Sequence, residues 1–588
     1  MVESDLSRRT VLKGAAAGSI ALAAATATSS GLVGIGPARS APAQNRVVVV
    51  GGGVAGLTTA HELAERGFKV TVFEKRAWGG KARSMDSALP VADGRRPLPG
   101  EHGFRFFPGY YQAVPDTMKR IPFPGNANGV YDNLTSAPTL TAAQSGADIT
   151  LPFGIQPDQI GAAIDLKWII KTLAGAAQWI PKLPYSDLLT FANRLFVYFT
   201  SCDARRIGQW EQTSFLDFAK VTPNSNPQYM LLISTLTRTL VAAKEEIASS
   251  RTMCTQAENF LLNILNRNND GRETDNLLNG PTNERWIDPW MNYLKSQNVD
   301  FQLGFTIQSL NMEGGKIKSA TVQDQNGATS TIEADWFVTA VAPEQVSNIC
   351  TPDIYNADPG LAKIKDLFVD WMTGIQFFVN TDKQLAPGHI GWIESPWRLT
   401  GIQQGQHWKP YNISRDFGDG KAKEILSVDI SDWHTPGELI KKAAKDCSPE
   451  EVARESWHQV TKTLDTVKES DLVYWHLDPG IKWDGSANTN DDPLMINTAK
   501  SWGNRPTSVT KIPNLFLAGD FCQSNIDLAT MEGACEGGRN AANAILDASG
   551  STASKAKLWP HVTISEFDGL RALDETRWRN GQKNLFDN

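Results

Sequence analysis

Residues 46–75 read RVVVVGGGVAGLTTAHELAERGFKVTVFEK, and the other parts of the 588-residue chain take their meaning from this stretch. Arg46 to Val50 is an unbroken β-branched run of the kind that fills the centre of a parallel sheet covered on both faces. Gly51, Gly53 and Gly56 then spell G-x-G-x-x-G before the helical LTTAHELAER. Gly67 closes that helix, FKVTVFE gives a second strand, and Glu74 follows about 20 residues after the glycines. Each part has a physical task. Gly51 permits the tight turn, Gly53 lets backbone N–H groups approach a pyrophosphate, and Gly56 lets helix and strand pack closely. The helix N-terminus faces the diphosphate, and Glu74 stands where ribose hydroxyls would donate to it. Strand, helix, strand and acid together predict a Rossmann-like dinucleotide-binding unit.

Two further stretches bear on which dinucleotide it is. AWGGKARS, residues 77–84, places Gly79, Gly80, Lys81 and Arg83 directly downstream, small residues and cations within reach of a diphosphate. Near the C-terminus, PNLFLAGDFCQSNIDLATMEGACEGGRNAANAI, residues 513–545, gives an apolar strand ending at Gly519 and Asp520. Met531 then opens a small-residue helix able to approach a flat ring closely.

The order G-x-G-x-x-G, Glu, G-G-K and a distant L-A-G-D with M-E-G-A resembles the flavin amine oxidase and phytoene desaturase superfamily. GEHGFRFFPGYY (100–111), NGPTNERWIDPWMNYLKS (279–296) and NRPTSVTKIPNLFLAGD (504–520) resemble most its plant and cyanobacterial phytoene and zeta-carotene desaturase branch. The resemblance implies an α/β fold in which a discontinuous Rossmann-like FAD domain is joined to an α+β substrate-binding domain. It implies FAD contacts at Ala55, Glu74, Lys75, Gly80, Lys81, Arg105, Phe106, Tyr111, Asp520 and Met531, beside the glycines 51, 53 and 56. Arg285 and Ala529 fall where the family meets substrate. One departure matters: the family's histidine is Arg105 here, and a permanently charged guanidinium cannot shuttle a proton as imidazole does. His102, three residues earlier, is the candidate replacement, so Arg105, His102 and Arg285 are the candidate catalytic residues.

The family pattern divides the chain into FAD-binding pieces at about 44–115, 280–345 and 495–548, substrate-binding pieces at 116–279 and 346–494, and a tail at 549–588. The tail reads as a surface-packed helix. Residues 165–199 are rich in Trp, Leu, Ile and Phe, but Pro181, Pro184 and several charges exclude a membrane span. They read as core, tunnel lining or a membrane-dipping face. At the start of the chain, Arg8 and Arg9 precede a weakly apolar, small-residue run and small residues near 38–43, a pattern resembling a twin-arginine export signal over residues 1–43.

Composition narrows the rest. A net charge of −7 gives no basic field for nucleic acid. Six scattered cysteines and eight dispersed histidines give no metal-ligand spacing. Eighteen tryptophans and 24 phenylalanines suit an aromatic-lined cavity or contact with a membrane interface. No hydrolase motif is present, so a cofactor must carry the chemistry. The expectation is FAD-dependent dehydrogenation of a hydrophobic isoprenoid or polyene outside the cytoplasm, with quinone or oxygen as electron acceptor and peripheral membrane contact. A secreted amine or amino-acid oxidase is the alternative, as is an isomerase, dehydroxylase or cyclase of a polyene. A flavoprotein that only binds a lipid or partner is the third class.

Overall fold

Alternate valines of the run 46–50 serve two different cores. Val47 and Val49 pack with helix residues Leu57, Ala60, Ala541 and Ile545, whereas Val48 and Val50 pack with Ile307, Leu310 and Phe337. That double burial is why the run is apolar at every position. The computed structural model describes residues 45–587 apart from 147, 153, 155–156 and 240–242, so the export signal expected at 1–43 lies outside the described residues.

The central sheet is parallel throughout, in the order Leu515–Leu517, Trp336–Thr339, Arg46–Val50, Lys69–Glu74 and Asp300–Leu303. Its strands therefore come from three stretches far apart in the chain. Helices Val54–Ala64 and Met531–Ala548 pack against each other on one face. Their approach depends on glycine: a Cβ on Gly538 would lie 2.6 Å from the Ala55 carbonyl oxygen. The antiparallel strands Thr306–Glu313, Lys316–Gln323 and Thr329–Glu333 cover the other face.

A second, seven-stranded sheet runs in the order Leu472–Leu477, Thr373–Val379, Glu424–Ile430, Thr400–Gln403, His389–Trp392, Thr139–Ala143 and Ile149–Pro152. It is antiparallel except where His389–Trp392 meets Thr139–Ala143. Helix Pro449–Thr463 backs it, started by a capping box between Ser448 and Glu451 and buried through Val452, Trp457 and Val460. A helical layer completes this part. The stretch 165–199 forms helices Leu166–Ala176 and Tyr185–Phe199, and Phe191 to Phe199 lie in the core of that layer. Among the described residues no helix is long and apolar enough to cross a membrane.

The tail is more deeply tied than a surface helix. Ile564 and Phe567 enter the helical core, and Asp574 of helix Asp568–Arg579 is 2% exposed, paired with Arg205 at 2.9 Å. Residues 99–111 run between the two sheets: Glu101 N–H donates to Gln376 at 3.0 Å, and Gly374 N–H donates to the His102 carbonyl at 2.8 Å.

Candidate functional site

The C-terminal ends of the central strands open onto one cavity of about 750 Å³, bordered by Val50, Gly51, Glu74, Ala340, Gly519 and Asp520. This is where open α/β sheets bind ligands. Gly51 adopts φ +107°, and a Cβ there would lie 2.4 Å from the Ala340 carbonyl oxygen. A Cβ on Gly56 would come within 1.9 Å of the Gly51 oxygen, so Gly56 lies beneath the turn and does not border the cavity. Gly53 is the N-cap of helix Val54–Ala64 without a side-chain cap. The first-turn N–H groups, including that of Ala55 at the cavity wall, are thus left for an anionic ligand.

At the end of the second strand Glu74 accepts the N–H groups of Gly52 and Arg76, each at 2.8 Å. Lys75, Gly80 and Lys81 border the cavity beside it, and Lys81 Nζ donates to the Pro493 carbonyl. Across the cavity the Thr530 hydroxyl caps helix Met531–Ala548 by accepting Gly533 N–H at 3.0 Å. Ala529, Met531 and Ala534 thereby line the wall. Glu532 turns away from it and accepts three N–H groups, from Gln112 at 2.8 Å, Ala113 at 2.6 Å and Val114 at 2.9 Å. It thus ties the start of helix Ala113–Arg120 to this wall.

The segment between the sheets supplies the remaining surface. His102 Nδ1 lies 3.0 Å from Asp478 Oδ2, and burial holds the imidazole pKa below its ordinary value. His102, Asp478 and Asp492 bring possible ligand atoms within 4.8 Å of one another. Asp492, however, is already paired with Arg76 and, at 3.3 Å, with Arg83, so the group forms an ion-pair network. Arg105 donates to the carbonyls of Lys81 at 2.6 Å and Gly103, and stands 4.0 Å from Glu101. Burial pushes the Glu101 carboxyl up to about 7 against the opposing pull of Arg105. It does the same to Asp429, also to about 7. Phe104, Phe106, Tyr110 and Tyr111 make an aromatic wall around this end, with Met372, Thr400 and Leu528. Phe104 and Phe106 both pack on His389, with ring centroids at 5.2 and 5.6 Å.

Of the residues expected from sequence, Gly51, Gly53, Ala55, Glu74, Lys75, Gly80, Lys81, His102, Arg105, Phe106, Tyr111, Asp520, Ala529 and Met531 all border this cavity. Arg285 does not border it. Its guanidinium lies 4.7 Å from the Tyr411 ring and 5.5 Å from that of Phe123. The wide turn Asn283–Ile287 carries it there. Asp429 was not expected. Its one signal in the sequence is a carboxylate set between Val428 and Ile430 in the strand EILSVDI, residues 424–430, which also begins on a carboxylate, Glu424.

The residues fit FAD. Glycine N–H groups and a helix end would hold the diphosphate, Glu74 would accept from a ribose, and a small-residue helix borders the remaining length of the cavity. Residues 46–118 match the family model described as FAD dependent oxidoreductase, and residues 288–546 match that of flavin containing amine oxidoreductase. One component of the ferredoxin:CoB-CoM heterodisulfide reductase of Methanosarcina mazei is 44% identical over 57 residues, 10% of this chain. The match spans 7% of that relative's length.

Solved structures similar in fold include cyclohexylamine oxidase from Brevibacterium oxydans, at 14% identity and TM-score 0.56, covering 86% of this chain and 99% of that one. Putrescine oxidase bound to putrescine matches at 14% identity and TM-score 0.55, covering 85% and 99%. An oxidoreductase from Methanosarcina mazei matches at 13% and 0.54, covering 84% and 98%.

Proposed function

We propose that the chain is an FAD-dependent oxidoreductase of the flavin-containing amine oxidase superfamily and that it dehydrogenates a hydrophobic substrate of the isoprenoid or polyene class. The observation that carries this reading is the aromatic wall: Phe104, Phe106, Tyr110 and Tyr111 line the cavity beside Met372 and Leu528. Such a surface favours an apolar guest and excludes water from the reacting bond.

FAD supplies the hydride acceptor when bound. The chain's own residues do the rest. The glycine turn and helix N-terminus hold the diphosphate, Glu74 the ribose, and Asp520 the ribityl or diphosphate region. Met531 borders the isoalloxazine in this reading. Removing hydrogen from a C–C bond also releases a proton, and His102 is the group suited to hold it at Nε2. Asp478 fixes Nδ1, and burial favours the neutral imidazole. Arg105, bound to carbonyls and always charged, serves as a fixed positive charge.

We propose further that the protein is exported by the twin-arginine route, passes electrons to quinone or oxygen, and touches membrane only peripherally. The test is anaerobic mixing of the FAD-loaded protein with isoprenoid alkenes and alcohols on one side and simple amines on the other. Bleaching of the flavin band by the isoprenoids alone is the expected result. Bleaching by simple amines alone would overturn the reading.

A further inference from the structure

At the hydrophobic end of the cavity Asp429 and Arg105 each carry a buried polar atom without a hydrogen-bond partner among the described residues. Asp429 borders the cavity, is 8% exposed, and its Oδ1 has no hydrogen-bond partner. The carboxylate takes a hydrogen bond from the backbone of Phe104. Two glycines make room for it: a Cβ on Gly103 or Gly374 would lie 2.7 or 3.0 Å from Oδ1. Arg105 is the neighbouring cation: its terminal nitrogens donate to the carbonyls of Lys81 and Gly103, and its Nε has no partner among the described residues.

An unsatisfied buried oxygen destabilises the fold, so folding alone gives no reason to keep it. A guest that donates to this carboxylate removes that cost, and the soft terminal torsion of aspartate lets either oxygen turn to meet it. A guest without a donor leaves the cost in place, which makes such a site selective. The charges set the sign: Glu101 and Asp429 face the single cation Arg105, with His389 the next group. A neutral or cationic donor fits there, and an anion does not.

We infer that the substrate carries, on an otherwise apolar body, one hydrogen-bond donor, a hydroxyl or an ammonium, that docks on Asp429. The inference rests on the hydrophobic-substrate reading above and sharpens it: a pure hydrocarbon is the poorer guest.

Farnesene, farnesol and farnesylamine share one tail and differ in the head group. Each is titrated anaerobically into the FAD-loaded protein, and affinity is read from perturbation of the flavin spectrum, whether or not bleaching follows. The expected result is that farnesol, farnesylamine or both bind roughly ten-fold or more tighter than farnesene. Asp429→Leu should erase that preference without weakening farnesene. Asp429→Asn, which keeps an accepting oxygen without the charge, separates the two heads: a hydroxyl preference survives it and an ammonium preference is lost. Flavin content of both variants reports that they have folded. Equal affinity for all three heads, or a preference untouched by Asp429→Leu, overturns the inference and leaves the hydrophobic-substrate reading standing. Failure of all three to perturb the flavin overturns both.

Discussion

Glu74 reaches back across the turn that precedes it, and its Oε2 accepts the backbone N–H of Gly52 at 2.8 Å. One carboxylate thus stiffens the glycine turn and stands ready for the ribose. Glu74→Ala removes a charged acceptor whose hydrogen bonds are worth about 1.5–3 kcal/mol. FAD should bind roughly ten-fold to a hundred-fold more weakly, measured as the flavin-to-protein absorbance ratio after dialysis. Undiminished flavin content would remove Glu74 from the site.

Glu532 is the only side chain seen bonding to three successive N–H groups at the start of helix Ala113–Arg120 among the described residues. Glu532→Ala leaves those donors without it in a buried setting. A stability loss of about 2–4 kcal/mol is expected, read as a lower urea midpoint with an unchanged slope. A midpoint within error of the parent would show that water replaces the cap.

Glu101 and Asp429 lend the flavin-free protein a pH dependence of unusual sign. Both carboxyls hold protons more tightly when folded, at about 7 against ordinary values of 4.5 and 3.8. Their contribution to stability is complete below about pH 4 and is lost as pH rises through about 7. Arg105 and His389 are the groups that face Asp429 besides Glu101. Urea midpoints measured between these limits should lose part of their pH slope in Asp429→Asn. An identical slope in the variant would contradict the assignment.

Arg285→Ala should leave flavin content and anaerobic flavin reduction unchanged, because the side chain rests on Tyr411 away from the cavity. Loss of that stacking should cost about 1 kcal/mol or less, visible as a small drop in thermal midpoint. Impaired reduction with normal stability would restore the substrate role expected from sequence.

Replacement of Arg8 and Arg9 together by lysine should hold the protein in the cytoplasm, since the export route reads the arginine pair. Fractionation of cells producing the double variant tests this. Normal export would show that the leader was misread.

The glycine turn, its helix and Glu74 were legible because they lie within 30 consecutive residues of RVVVVGGGVAGLTTAHELAERGFKVTVFEK and answer to local geometry. Asp520 and Met531 were legible only through resemblance, since nothing local ties them to Gly51. The Glu101, Arg105 and Asp429 group was not legible. Asp429 lies 324 residues beyond Arg105 and reaches it through pairing of Glu424–Ile430 with Thr373–Val379, and a single sequence carries no trace of such register. Arg285 shows the opposite case. The motif around it matched, but the turn Asn283–Ile287 and the ring of Tyr411 determine where its long side chain goes. Glu532 was visible as part of M-E-G-A, yet its partners at 112–114 depend on how two distant helices meet.

The strand Leu515–Leu517 pairs with Trp336–Thr339, which pairs with Arg46–Val50. On a ribosome adding 5–20 residues per second, roughly half a minute to a minute and a half separates emergence of the first of these strands from the last. For that interval the nascent sheet lacks an edge partner, first along Arg46–Val50 and, once residue 339 has emerged, along Trp336–Thr339. Such an edge is prone to wrong pairing, so production at reduced temperature or with an edge-shielding chaperone in excess should raise the soluble yield.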